Sequence, residues 1–223
     1  MNVFADFRPN VPEKYRDSKF IFLANIDPDL QIYILRNFDN NRFIGCDSMD
    51  YWIRNKAHAL KKLMKKVSFV FLNDAEARLF SGESNIMKAG KYLLSLGPRF
   101  AVIKRGEYGA ILFAKNTIML LTPAYLLETV CDPTGAGDTF AGGFMGYLAG
   151  SGRIDDTTVR RALLYGSVMA SFTVEDFSIN RFLKLKKKDI MSNFLLKMKK
   201  IKMLEMALLQ KLIIGKKKLT GLM

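Results

Sequence analysis

Between Cys131 and Gly152 the chain reads CDPTGAGDTFAGGFMGYLAGSG, with Gly135, Ala136 and Gly137 opening an apolar helical pattern and Asp138 directly behind them. Small residues start a helix poorly, and each glycine inside one costs about 1 kcal/mol relative to alanine. What they provide is access. Without a Cβ, backbone N–H groups can approach a ligand. At a helix N-terminus those groups and the positive dipole end form an anion seat. Gly135, Ala136 and Gly137 are thus suited to hold the oxygens of a phosphoryl group and stabilise its charge in transit. A carboxylate repels phosphate, so Asp138 is poorly explained as a binder and well explained as a base for an attacking hydroxyl. Taken alone, the segment also reads as a turn with an aspartate cap. Gly142, Gly143 and Gly146, on nearby turns, imply close packing of this helix against a sheet.

The surrounding pattern must position these groups. Apolar runs at KFIFLAN (19–25), RFIGCD (42–47), VSFVFLN (67–73) and RFAVIKRG (99–106) read as strands. Helical patterns separate them: Asp29–Phe38, one run over Asp50–Lys66, then Asp74–Phe80 and Asn85–Leu96. Residues 108–124 add two further strands turning at Lys115-Asn116, and helices follow at about Gly135–Ala149 and Asp155–Thr173. Strands apolar throughout, alternating with helices, predict a doubly wound α/β fold with a mainly parallel sheet covered on both faces. Ligands bind such sheets at the carboxyl ends of the strands. Asn73, Lys104–Gly106 and Asp132–Asp138 are all expected at that edge.

Composition excludes several classes of function. The 223 residues, 49% hydrophobic, can bury one good core. Two cysteines (Cys46 and Cys131) give neither a disulfide framework nor a metal spacing, which points to a reducing, cytoplasmic setting. The single histidine, His58, excludes multi-histidine metal sites and reads as a structural residue. Neither a signal peptide nor an apolar run long enough to span a membrane is present in the sequence. The net charge of +14 is unevenly spread: residues 184–223 hold 12 lysines and 2 acids, leaving 23 basic and 19 acidic side chains for residues 1–183. The basicity therefore belongs to a tail. It contains only Phe194 for base stacking, which argues against a specific nucleic-acid partner.

The run DPTGAGDTFAGGFM, Asp132 to Met145, resembles the C-terminal signature of the ribokinase-like (PfkB) carbohydrate kinase family. NDAEA, Asn73 to Ala77, is similar to that family's N-x-x-E motif, and IKRGEYGA, Ile103 to Ala110, to its strand–Gly–x–x–Gly hairpin. The resemblance implies transfer of the γ-phosphoryl of ATP to a hydroxymethyl of a sugar or nucleoside. Asp138 is then the base and Thr134 to Gly137 the anion cradle. Asn73 and Glu76 arrange Mg²⁺, its waters and the nucleotide phosphates. Lys104 reaches the β- or γ-phosphate, and Gly106 and Gly109 shape the hairpin beside it. Asp132 shapes the loop and in many relatives lies near a monovalent cation (K⁺) site. Relatives with that site usually carry a small Gly-Ala segment where this chain has TVEDFSINRF.

The resemblance covers about residues 3–185, the C-terminal two-thirds of a typical member, so an N-terminally truncated kinase domain over 1–183 and a basic tail over 184–223 are expected. The strand with the sugar-binding aspartate and most of the lid have no counterpart in the sequence. A chain of this kind is expected to bind Mg·ATP weakly and to phosphorylate no sugar at a useful rate. A fragment that only binds nucleotide, and a nucleoside kinase, are the competing readings; a homodimer is open to either.

Overall fold

The structure, a computed structural model, describes residues 7–39, 41–115 and 120–199. Six strands form one sheet in the order of the chain: β1 (Phe20–Leu23), β2 (Phe43–Asp47), β3 (Phe69–Asn73), β4 (Phe100–Lys104), β5 (Ala110–Ala114) and β6 (Leu120–Thr122). β1 to β4 pair in parallel, whereas β4–β5 and β5–β6 are antiparallel. Parallel neighbours need a crossover, and crossovers are right-handed. Because each one steps the same way across the sheet, all the connecting helices fall on one face. These are α2 (Pro28–Ile34), α3 (Asp50–Asn55), α4 (Ala57–Met64), α5 (Asp74–Ser81) and α6 (Ile86–Ser95), preceded by the single turn α1 (Glu13–Arg16). The opposite face is left to α7 (Ala136–Ser151) and α8 (Asp156–Thr173), followed by the short α9 (Asn180–Lys184).

The two-residue period of a strand divides the core into two layers. Val70, Leu72, Ala101, Ile103, Ile111 and Phe113 pack with α3–α6 residues such as Ile53, Leu60, Phe80 and Leu93. Their neighbours Phe69, Phe71, Phe100, Val102, Ala110 and Leu112 pack with Phe140, Phe144, Met145 and Leu148 of α7 and with Val159 and Leu163 of α8. Phe144 stands edge-on to Phe69 and Phe71, with ring centroids 5.5 and 5.3 Å away. Both faces are covered, as the apolar strand runs predict.

Two expectations change. The helical run over 50–66 is two helices, broken at Lys56, whose backbone leaves helical geometry at φ −136° and ψ 34°. The Lys56 ammonium binds Asp27 and Asp29, both at 2.7 Å, tying the break to the N-terminus of α2. The glycines of α7 also divide differently. A Cβ on Gly143 would meet Met169 at 2.8 Å and the Gly166 Cα at 3.3 Å, so this glycine admits α8 and not the sheet. Gly142 and Gly146 have open space beside them and line a groove of about 720 Å³ with Gly150, Tyr147, Tyr165 and Met191. The sheet approaches α7 through its own glycine, Gly45, where a Cβ would lie 2.9 Å from the Met145 sulfur.

Composition and packing change at different places near the C-terminus. The lysine-rich sequence begins at Lys184, yet helix 187–199 packs on the body. Its Phe194 is 6% exposed and meets Tyr147 and Tyr165 at ring-centroid distances of 5.9 and 5.6 Å. Tyr125 Oη donates to Asn193 Oδ1 at 3.1 Å, and Lys197 Nζ donates to Ser167 Oγ. The remainder of the tail and Asn116 of the expected turn lie outside the described residues. Among the described residues, no helix is long and apolar enough to cross a membrane.

Candidate active site

The carboxyl ends of β2, β3 and β4 and the N-terminus of α7 bring together groups far apart in sequence. Gly135 precedes α7 with φ 78°, a left-handed conformation that glycine adopts without strain. No side chain caps this end of the helix. The Ala136 N–H turns back to the Pro133 carbonyl at 3.2 Å, which leaves the N–H groups of Gly137 and Asp138 as the anion-seeking end of a 16-residue helix. The approaching loop is braced on both sides. Asp132 Oδ1 accepts the Thr134 N–H at 2.9 Å, which holds the Asp132 carboxyl below the usual carboxylate range. The Cys131 N–H donates to the Val174 carbonyl at 2.7 Å, fixing the loop to the end of α8. Asp138 stands exposed in the first turn of α7, and Thr134 is exposed beside it.

Lys104, the last residue of β4, supplies the positive charge. A Cβ on Gly137 would lie 3.1 Å from its Nζ, so the ammonium occupies the space that a larger residue at 137 would take. The same Nζ donates to Asp47 Oδ2 at 2.6 Å. Asp47 closes β2, and its side chain is only 3% exposed, against 15% for Lys104. Its second oxygen accepts the Ser48 N–H at 2.8 Å. Burial pushes the Asp47 carboxyl up, and the Asp138 charge adds to this; the Lys104 ammonium and the Ser48 N–H pull the other way.

Asn73 and Glu76 lock one another. Asn73 Oδ1 accepts the Glu76 N–H at 2.8 Å and Glu76 Oε2 accepts the Asn73 N–H at 2.7 Å, a complete capping box at the start of α5. Burial raises the Glu76 carboxyl, opposed by the Asn73 N–H and by Lys104. Gly106 opens a single turn of 3-10 helix between β4 and β5 and Gly109 follows it, with φ 53° and 86°. The Arg105 N–H donates to the Gly109 carbonyl at 2.7 Å, and a Cβ on Gly109 would run into the Thr122 carbonyl oxygen. These two glycines shape the hairpin that carries Lys104.

Lys104 thus meets Gly137 by contact and Glu76 by charge, and the Asp138 charge reaches Asp47, while Asp132 turns to its own loop. Asp47, a lone acid ending an apolar strand, joins this group only through Lys104 from two strands away, and nothing in the sequence alone marks it. A phosphate with Mg²⁺ fits these residues. Gly137 leaves a cradle that a Cβ would fill, an ammonium already lies against it, and Ser48 Oγ and Thr173 Oγ1 are buried with no hydrogen-bond partner among the described residues. Among those residues no group of three or more His, Cys, Asp or Glu could hold a metal by itself. Mg²⁺ usually keeps its waters and is bound through one or two carboxylates and phosphate oxygens.

The chain is 31% identical over 144 residues to the cytidine kinase of Thermococcus kodakarensis, covering 63% of this chain and 51% of that one. It is 29% identical to the ribokinase of Staphylococcus aureus over 51% of this chain and 37% of that one. The chain therefore spans about half or less of the length of the curated relatives it matches. Among solved structures, the nucleoside kinase of Methanocaldococcus jannaschii superposes with a TM-score of 0.67 at 18% identity, over 86% of this chain and 59% of that one. The aminoimidazole riboside kinase of Salmonella enterica, solved with its riboside and an ATP analogue, superposes at 0.61 and 20% identity, over 69% and 52%. The sequence profile of the pfkB family carbohydrate kinases matches residues 35–184, which include β2 to β6, the capping box, the Lys104 hairpin and the whole of α7. The chain belongs to the pfkB family of carbohydrate kinases.

Proposed function

We propose that these residues carry the phosphoryl-transfer side of an ATP-dependent kinase acting on a hydroxymethyl group of a ribose-like sugar, free or within a nucleoside. The observation that carries this reading is the Lys104 ammonium lying against Gly137 at the uncapped N-terminus of α7, one residue before an exposed acid. Mg·ATP supplies the phosphoryl group and the cation that neutralises its charge. The amides of Gly137 and Asp138 and the Lys104 ammonium hold the oxygens of the group in transit. Asp138 takes the proton of the attacking hydroxyl. Asn73 and Glu76 face the Mg²⁺ and its waters, with the capping box holding the Glu76 carboxylate in one place. Asp132 orders the approach to α7 through its bond to the Thr134 N–H. Named relatives include kinases of both nucleosides and ribose, which supports the acceptor class. An Escherichia coli protein assigned as a ribokinase II, superposing at a TM-score of 0.61, was solved with ATP and Mg²⁺.

The test is a Mg·ATP titration of the chain, followed by a coupled ADP-release assay across nucleosides, pentoses and hexoses. The expected outcome is binding of Mg·ATP, with any alcohol-dependent ADP release reduced about 10²- to 10⁴-fold in Asp138→Asn at nearly unchanged nucleotide affinity. A chain that binds no Mg·ATP, or alcohol-dependent release untouched by Asp138→Asn, overturns the reading.

A further inference from the structure

Asp47 has no part in the phosphoryl transfer just described, yet its pair with Lys104 occupies the centre of the site. Lys104 is the cation that lies against the α7 N-terminus, and one of its three donors is committed to a carboxylate 2.6 Å away. The pair is nearly dry on the Asp47 side, with a side chain 3% exposed. Among the described residues no other cation holds the Asp47 carboxylate, whose other hydrogen bond comes from the Ser48 N–H. A polyphosphate arriving at Gly137 meets an ammonium that is already neutralised, and a buried negative charge directly behind it. The charges of Asp138 and Glu76 are also felt within this cluster.

We propose that Asp47 is a positioning residue that serves as the resident counter-ion of Lys104, holding the ammonium at the α7 N-terminus and yielding it to a phosphate oxygen when the nucleotide binds. The inference rests on the reading of this site as a polyphosphate seat and deepens it. Before nucleotide arrives, Asp47 takes the place of a phosphate oxygen, so the ammonium stays extended against Gly137 instead of turning to solvent. The carboxylate competes with the phosphate for the same donor, and its charge repels the incoming one. It therefore lowers the affinity of the seat and favours departure of the product. Two charged partners with so little water between them interact far more strongly than an exposed pair, which makes the competition large enough to measure. Asparagine at position 47 retains the shape of the side chain and an acceptor for the Ser48 N–H while removing the competing charge.

The experiment is calorimetric titration of the 223-residue chain with two probes, inorganic tripolyphosphate and Mg·ATP. It uses wild type, Asp47→Asn, Lys104→Met and the double variant. Asp47→Asn is expected to tighten tripolyphosphate binding about tenfold, equivalent to about 1.4 kcal/mol, and Lys104→Met to weaken it by at least as much. Lys104→Met leaves Asp47 buried without its cation and is the variant at risk of unfolding. The double variant removes both charges, keeps the site neutral and completes the cycle. In it, tripolyphosphate is expected to bind as weakly as with Lys104→Met alone, the gain from Asp47→Asn having vanished with its partner. A purely structural Asp47 would give weaker binding on substitution, never tighter. Unchanged or weaker binding by Asp47→Asn overturns the proposal, as does a gain of equal size in the absence of Lys104. A wild-type chain that binds neither probe overturns it as well. Binding of tripolyphosphate with the expected cycle, but none of Mg·ATP, upholds the counter-ion role of Asp47 and overturns the kinase reading alone.

Discussion

Asp138 and Gly109 show how differently two site residues are held. Asp138 is exposed in the first turn of α7 and free to meet a substrate. Gly109 is fixed by the backbone around it, since φ is 86° and a Cβ would strike the Thr122 carbonyl. Gly109→Ala is accordingly expected to cost about 1–3 kcal/mol for the strained backbone, read as a lowered midpoint in urea unfolding. Gly106→Ala, at φ 53° with open space around it, is expected to cost less. Equal midpoints for the two variants would contradict the crowding at Gly109. Within the candidate site, the loop 132–138 stands out in the sequence because three small residues and an acid at a helix start suit an anion seat. Asp47 does not, because a single carboxylate at a strand end gains meaning only when Lys104, two strands away, reaches it.

Elements that read as one in sequence can be divided by a single contact. The apolar spacing over 50–66 is continuous, but Lys56 is drawn towards Asp27 and Asp29, and the helix breaks there. Periodicity reports which face is buried and says nothing about a lysine tethered 27 residues upstream. Helix 187–199 makes the same point from the charged side. Within a lysine-rich segment, Phe194 and Lys197 are both buried. Burial depresses the Lys197 ammonium to about 7, with Ser167 Oγ as its hydrogen-bond partner. In the unfolded chain this lysine titrates near 10.4, so between about pH 7 and 10 the unfolded state binds more protons and stability rises with pH. Below pH 7 both states are protonated and this contribution is flat. Docking of helix 187–199, followed by hydrogen exchange, is expected to strengthen between pH 7 and 9 by up to about 1.4 kcal/mol per pH unit. Lys197→Met should remove that slope. A slope that survives the substitution would assign it to other groups.

At the scale of the molecule, sequential strand order is what makes the site. It sends α2–α6 to one face and leaves the other to α7 and α8, so that the N-terminus of α7 meets the ends of β2 and β4 from across the sheet. The parallel sheet and both covered faces were legible from apolar runs alternating with amphipathic ones. How α7 meets α8 was not, since a glycine's spacing does not reveal whether its open side admits the sheet, another helix or solvent. The Mg·ATP affinity of Gly137→Val tests whether a polyphosphate sits where Lys104 meets Gly137. A side chain there would enter the space now held by the Lys104 Nζ, 3.1 Å from the Cβ position, and close the approach to the first-turn amides. Titration of the folded variant is expected to show Mg·ATP affinity reduced at least tenfold, with the secondary structure of the chain retained. Wild-type affinity in Gly137→Val would contradict it, leaving the glycine-rich segment as a turn and nothing more.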